Sequence, residues 1–206
     1  MACHSPVDGT ANSEDKRERY VTHQEYQEVY ECAGNQVRLL MGLTYRTLQR
    51  PESDIIRWTP VVLATDPHSK QRVLFFEQEK TGRKVKIAVT DKIEVLIQKA
   101  LGPVPRIDQP LVHNLKGEGY TYSGITSMLT KAIEKANKKR AKKELPLMDS
   151  FGFRDLKGKG ATDMWLAGTP IEQIQLLCGH ADKSTTEKYI KARWNATAQP
   201  NEIAVL

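Results

Sequence analysis

Cysteine is scarce in this chain, and its few thiols follow no pattern that indicates a disulfide framework or a metal site. The 206 residues contain three cysteines, Cys3, Cys32 and Cys178, and no CxxC spacing. An odd count without that spacing argues against a disulfide scaffold and against a cysteine-ligated zinc ion. We therefore expect a protein of the reducing cytoplasm.

Long apolar runs are also missing. No segment approaches the ~18–20 apolar residues of a membrane-spanning helix, and the N-terminus lacks the apolar stretch of a secretory signal. The hydrophobic fraction of 39% is nevertheless sufficient for a buried core in one ordinary domain or two small ones. These observations argue against wholesale disorder and against a membrane partner.

Acidic residues are fewer than basic residues. The chain has 25 Asp and Glu against 31 Lys and Arg, a formal net charge of +6. A basic chain of this size favours polyanionic partners such as nucleic acids. The charge alone does not separate DNA from RNA, so a basic RNA- or ribosome-associated protein stays open at this point.

The predicted elements run in the order helix, helix, small β-sheet and several further helices. Residues 1–19 are polar and predict a flexible tail. Thr22 and Glu25 have capping-box spacing at the start of the first helix, and residues 36–48 predict a second, buried helix. Short alternating or apolar runs predict strands at 61–64, 72–76 and 84–89, with a bend at Thr81-Gly82.

Capping signals divide the C-terminal third into short helices. Thr169 and Pro170 predict an N-cap and a first-turn proline. Ser184 and Glu187 have capping-box spacing at the start of a helix that contains Tyr189. Further helices are predicted at 91–101, 123–141 and 155–167. The fold class that follows is α+β, mainly α, with a small antiparallel sheet.

The most specific motif is LLCGHADKSTTEKYIK, residues 176–191. It resembles the L-L-G-H and S-T-T-x-x-Y sequence of the tyrosine recombinases, the phage-integrase family. The resemblance makes Tyr189 the nucleophile and gives His180 a contact with the reacting phosphate.

Three upstream segments extend this resemblance. FRDLKGKGATDMWLAG is similar to the family's H-x-x-R box, with Arg154 at the histidine position and Lys157 at the arginine position. EKTGRKVKI resembles the K-T-G hairpin and assigns the hairpin lysine to Lys80. LTYRTLQRPESDIIRW resembles the segment of the first arginine and favours Arg50, with Arg46 as an open alternative.

The resemblance covers residues 20–195 and implies the DNA breaking–rejoining catalytic-domain fold. It implies site-specific recombination of duplex DNA through a 3′-phosphotyrosine link, without metal or cofactor. The other partners implied are protomers of the same protein in a synaptic complex, on which the C-terminal tail, 196–206, docks. Because only residues 1–19 precede the match, we expect a fragment of a longer recombinase or a truncated one without the N-terminal core-binding domain.

The chemistry of that reaction explains these residue types. A tyrosine hydroxyl with an ordinary pKa of about 10 is a poor nucleophile near neutral pH. Cations that bind the non-bridging phosphate oxygens lower the barrier, and the planar guanidinium group can bond two oxygens together. A lysine can instead protonate the departing 5′ oxygen.

This chain departs from the family pattern at the box. Lys157 keeps the positive charge but cannot reproduce bidentate guanidinium bonding, and Arg154 cannot easily serve as a base. Ser53 stands where an acid usually follows the first arginine, with Asp54 one residue later. A catalytically weakened, DNA-binding remnant of a phage integrase is therefore the alternative function.

Overall fold

The computed structural model describes residues 19–191, with the side chains of Lys188, Tyr189 and Lys191 left aside. The predicted C-terminal tail and the predicted N-terminal tail up to residue 18 lie outside the described residues. The helices are α1 (His23–Cys32), α2 (Asn35–Thr47), α3 (Asp91–Leu101), α4 (Tyr122–Ala141), α5 (Phe153–Leu166), α6 (Ile171–Cys178) and α7 (Lys183–Lys191). The strands are β1 (Leu63–Thr65), β2 (Arg72–Glu77) and β3 (Lys84–Ala88).

The three strands form one antiparallel sheet in the order β1-β2-β3. Leu74 of β2 pairs with Ile87 of β3, and Phe76 pairs with Val85, so four buried side chains share one face. The turn between these strands contains Gly82, whose φ of 62° lies in the region that glycine adopts without a steric penalty. The mainly helical fold with a small antiparallel sheet is thus confirmed.

Helix α2 lies between the main hydrophobic core and a smaller cluster. Its residues Leu40, Met41 and Leu43 are fully buried in the main core. Just after α2, Leu48 joins Ala161, Ile174, Cys178 and Ile190 in the second cluster. This cluster packs α5, α6 and α7 around the end of α2, next to most of the sequence-predicted site residues.

Helix α5 approaches α2 at backbone distance because residue 160 is glycine. A Cβ atom at Gly160 would lie 2.2 Å from the carbonyl oxygen of Tyr45. The two helices could not pack this closely with any larger residue there. Lys157 and Lys159 of α5 are both buried, and they lie on opposite sides of the contact between α5 and α2.

Lys159 lies in a polar group that we call the anchor cluster, formed by Tyr20, His23, Tyr45, Lys159 and Asp163. The Lys159 ammonium is 3.1 Å from the Asp163 carboxylate and 3.0 Å from Nδ1 of His23. The hydroxyls of Tyr20 and Tyr45 donate to the same carboxylate over 2.5 and 2.8 Å. Burial and this carboxylate raise the pKa of both phenols, which therefore remain hydrogen-bond donors.

The predicted helix starts are confirmed at one end of the chain and wrong at the other. Thr22 and Glu25 form the predicted capping box. Helix α6, however, has Pro170 at its N-cap with non-helical backbone, so Thr169 is not the N-cap. The sequence predicts Ser184 as the N-cap of α7. The helix instead begins one residue before this serine, at Lys183. The Lys183 ammonium is 2.5 Å from the Glu172 carboxylate.

Within residues 19–191 every helix is too short or too polar to cross a lipid bilayer.

Candidate active site

A basic pocket of about 300 Å³ opens where the end of α2, the β2–β3 turn, α5 and the α6–α7 connection meet. Five of the six sequence-predicted site residues line it: Arg50, Lys80, Arg154, Lys157 and His180. Pro51, Glu52, Phe153 and Thr185 complete the lining. Tyr189 belongs to α7, and its side chain is among those left aside.

Arg50 follows directly on the end of α2. The chain leaves this helix through Leu48, a fully buried residue with a φ of 57°, which turns the backbone towards the pocket. Nη1 of Arg50 is buried and has no hydrogen-bond partner among the described residues. Leaving a buried charged donor unpaired is costly, so this position favours an anionic acceptor.

Arg46, the alternative first arginine, lies elsewhere. It is in the last turn of α2, with its guanidinium 5.8 Å from the centre of the Tyr45 ring. It lines a separate groove with Tyr26 and Lys92. The geometry therefore favours Arg50 as the arginine of the basic pocket.

Lys157 forms the buried part of the basic pocket, whereas Arg154, one helical turn earlier, is exposed. Only 5% of the Lys157 surface is accessible, and its ammonium donates to the carbonyl oxygen of Cys178 over 3.3 Å. Burial and the nearby charge of Arg50 lower the pKa of Lys157 to about 8. An anion in the pocket would offset both effects.

His180 is neutral at pH 7 in this environment. Burial first, and then the charges of Lys157 and Arg50, lower the pKa of its imidazole to about 4. Its Nδ1 lies 3.0 Å from the hydroxyl of Thr186. The ring can therefore offer a hydrogen bond to an anion without adding a further positive charge to the pocket.

The β2–β3 turn presents Lys80 at the exposed side of the basic pocket. The Asp54 carboxylate accepts a hydrogen bond from the backbone N–H of Glu79 over 3.0 Å, next to the lysine. Arg83, on the other side of the turn, donates to the carbonyl oxygen of His180 over 2.9 Å. Both flanks of Lys80 are thus joined to pocket segments.

The sequence of the chain matches a known protein family over the whole described part. Residues 19–195 match the family description "Phage integrase family". The chain belongs to the phage integrase family. No curated protein sequence matches it significantly.

Solved structures show the phage-integrase fold in this chain. A lambda integrase dimer bound to a COC′ core site has a TM-score of 0.70 at 20% identity, over 94% of this chain and 67% of that one. The lambda integrase catalytic core has a TM-score of 0.62 at 20% identity, over 80% and 93%. XerA recombinase has a TM-score of 0.63 at 16% identity, over 84% and 60%. This chain spans only about half, 51%, of a longer lambda integrase chain that it resembles.

Sequence reasoning missed two glutamines behind the basic pocket. Gln49 and Gln78 are fully buried, and Nε2 of Gln78 donates to Oε1 of Gln49 over 2.7 Å. Gln49 also donates to the carbonyl oxygen of Leu177 over 2.6 Å. The only sequence signal was their position beside Arg50 and Lys80, because amides are usually exposed.

Proposed function

We propose that this chain is the catalytic domain, residues 20–195, of a site-specific DNA recombinase that cleaves and rejoins strands through a 3′-phosphotyrosine. The observation that carries the proposal is the convergence of four cationic side chains and a histidine from four segments on one pocket. Glu52 is the acidic residue of the lining, so the cationic side chains outnumber it, and a phosphodiester supplies the charge that remains unbalanced.

In the proposed cleavage step, the Tyr189 oxygen forms a bond to the scissile phosphorus as the bond to the 5′ oxygen breaks, and the phenolic proton is released to solvent, from which Lys80 is later reprotonated. Arg50, Arg154 and Lys157 stabilise the charge on the non-bridging oxygens, and His180 adds a neutral hydrogen bond. Lys80 donates a proton to the departing 5′ oxygen.

In the rejoining step, the free 5′ hydroxyl of a partner strand attacks the phosphotyrosine. The phosphate then returns to DNA and Tyr189 regains its proton. Because the phosphotyrosine conserves the energy of the phosphodiester, the reaction requires no nucleotide hydrolysis. The partners proposed are duplex DNA and further protomers in a synaptic complex, and the cysteine content supports a cytoplasmic location.

The alternative of a DNA-binding remnant is not favoured. Both box substitutions are cationic, and both side chains line the pocket with Arg50. A site that had lost its chemistry would have no need to keep Lys157 buried at a cost in stability.

The proposed function predicts a covalent adduct with DNA. A nicked suicide duplex, in which the cleaved end diffuses away, should trap the wild-type chain on the 3′ phosphate. Tyr189→Phe should abolish the adduct, because phenylalanine has no oxygen to attack, while salt-sensitive binding to DNA remains. Binding by the wild-type chain without any adduct would instead establish the remnant.

A further inference from the structure

The two buried glutamines lie at the centre of a polar contact between three segments of the site. Gln49 immediately precedes Arg50, and Gln78 begins the turn that carries Lys80. The third segment is the end of α6, where the carbonyl oxygen of Leu177 accepts from Gln49. All three segments contribute a residue to the basic pocket.

The side chain of Gln78 connects the Lys80 turn to its surroundings. Its Nε2 donates to Gln49 over 2.7 Å, and its Oε1 accepts from the hydroxyl of Thr81 over 2.7 Å. Its backbone closes the same turn, since its N–H donates to Arg83 and its carbonyl oxygen accepts from Gly82. Gln78 is therefore part of the turn and also its buried contact with the rest of the domain.

Gly179 leaves the space that the Gln78 side chain fills. A Cβ atom at Gly179 would lie 1.9 Å from Oε1 of Gln78. Gly179 also has a φ of 70°, which directs the chain into His180. The position of the Lys80 turn and the path of the histidine segment are thus determined together.

We propose that Gln78 is the positioning residue for Lys80: its bond to Gln49 places the turn so that the lysine reaches the departing 5′ oxygen. This inference rests on the proposed cleavage reaction. Gln78 acts through Lys80 and does not itself contact the phosphate. Its loss should therefore impair protonation of the leaving group more than phosphate binding.

The test uses two forms of the suicide duplex. One has an ordinary phosphodiester at the cleavage position, and the other has a 5′-bridging phosphorothioate, whose sulfur leaves without being protonated. Gln78→Leu keeps the approximate volume but removes both side-chain hydrogen bonds. Gln71→Leu, an exposed glutamine before β2, is the matched control.

Gln78→Leu should slow adduct formation on the ordinary duplex by about 100-fold, in the range of lost general-acid catalysis. On the phosphorothioate duplex its rate should stay within about 3-fold of the wild-type rate, as should that of Lys80→Ala. Gln71→Leu should match the wild-type chain on both substrates. Equal slowing on both duplexes, or no slowing on either, would overturn the positioning role.

A second variant covers the case in which Gln78→Leu folds poorly. Thr81→Val, at an exposed position, removes the hydroxyl that donates to Gln78 and accepts a long hydrogen bond from the backbone N–H of Arg83. It should give a smaller loss, about 5-fold, again confined to the ordinary duplex. A wild-type chain that forms no adduct on either duplex would refute the proposed function itself, and the positioning role with it.

Discussion

Two lysines of α5, separated by a single residue, show how differently a fold can treat a buried positive charge. Lys159 lies in the anchor cluster, 3.1 Å from a carboxylate and within reach of a phenol and an imidazole. Lys157 lies in the basic pocket beside Arg50, with a carbonyl oxygen at 3.3 Å as its hydrogen-bond acceptor. The charge with a carboxylate in direct contact serves the structure, whereas the charge that has only a carbonyl acceptor in direct contact and more distant carboxylates indicates a site for an anion.

The largest change in stability is expected when the carboxylate that balances the Lys159 charge is removed. Asp163→Asn leaves the Lys159 ammonium buried without its counter-charge, so the free energy of unfolding at pH 7 should fall by about 3 kcal/mol. Urea denaturation measures this loss. The control is Asp149→Asn, whose side chain is 92% exposed and which should cost less than about 0.5 kcal/mol. Equal losses of stability in the two variants would contradict the view that Asp163 balances a buried charge.

Removing the charge of the other lysine, Lys157, is expected to increase stability. Lys157→Met removes a buried ammonium with few compensating partners and should raise the free energy of unfolding at pH 7 by about 2 kcal/mol. The same variant should form no adduct. Lys116→Met, at an exposed position, is the control and should change neither property.

The gain from Lys157→Met should depend on pH in a defined direction. The pKa of Lys157 falls from 10.5 to about 8 on folding, so between these values the unfolded chain binds more protons. Wild-type stability therefore rises with pH across this window, and the advantage of methionine shrinks. A gain that is constant from pH 7 to pH 10 would contradict the lowered pKa.

The smallest effect is expected when the charge is kept but its pKa is changed. Lys157→Arg should form adduct at pH 7 at the wild-type rate or up to about 3-fold faster, since the guanidinium keeps the charge and can bond the phosphate through two N–H groups. At pH 9 and sub-saturating DNA the variant should be about 5-fold faster, because the guanidinium stays protonated in the free chain. The rate of adduct formation measured from pH 7 to pH 9.5 tests this, and parallel profiles would contradict it.

Local signals predicted most of the elements. The amphipathic run of α3 was predicted with its observed bounds, Asp91–Leu101, because the apolar spacing and the preceding Thr90 agree. The predicted start of α6 was wrong by one residue and that of α7 by two. There Glu172 forms an ion pair with Lys183 across two helices, a contact that the sequence of either helix alone does not contain.

The resemblance to family motifs predicted the site residues, but it did not predict the environment of each side chain. The sequence placed Lys157 beside Lys159 without indicating that one would meet a carboxylate and the other an arginine. The pair formed by Gln49 and Gln78 depends on two amides that are far apart in the chain and meet only after the sheet packs on α2. Such contacts follow from tertiary packing, which local propensity does not describe.

The glycine of α5 also limits how this site can move. With Gly160 in contact with the Tyr45 carbonyl, α5 has no clearance to slide towards α2, and the anchor cluster resists displacement in the opposite direction. Lys157 is therefore presented from a rigid support, while Lys80 extends from a turn. In the proposed reaction, the exposed Lys80 side chain, and not the buried Lys157, is the cation that can adjust to an incoming DNA strand.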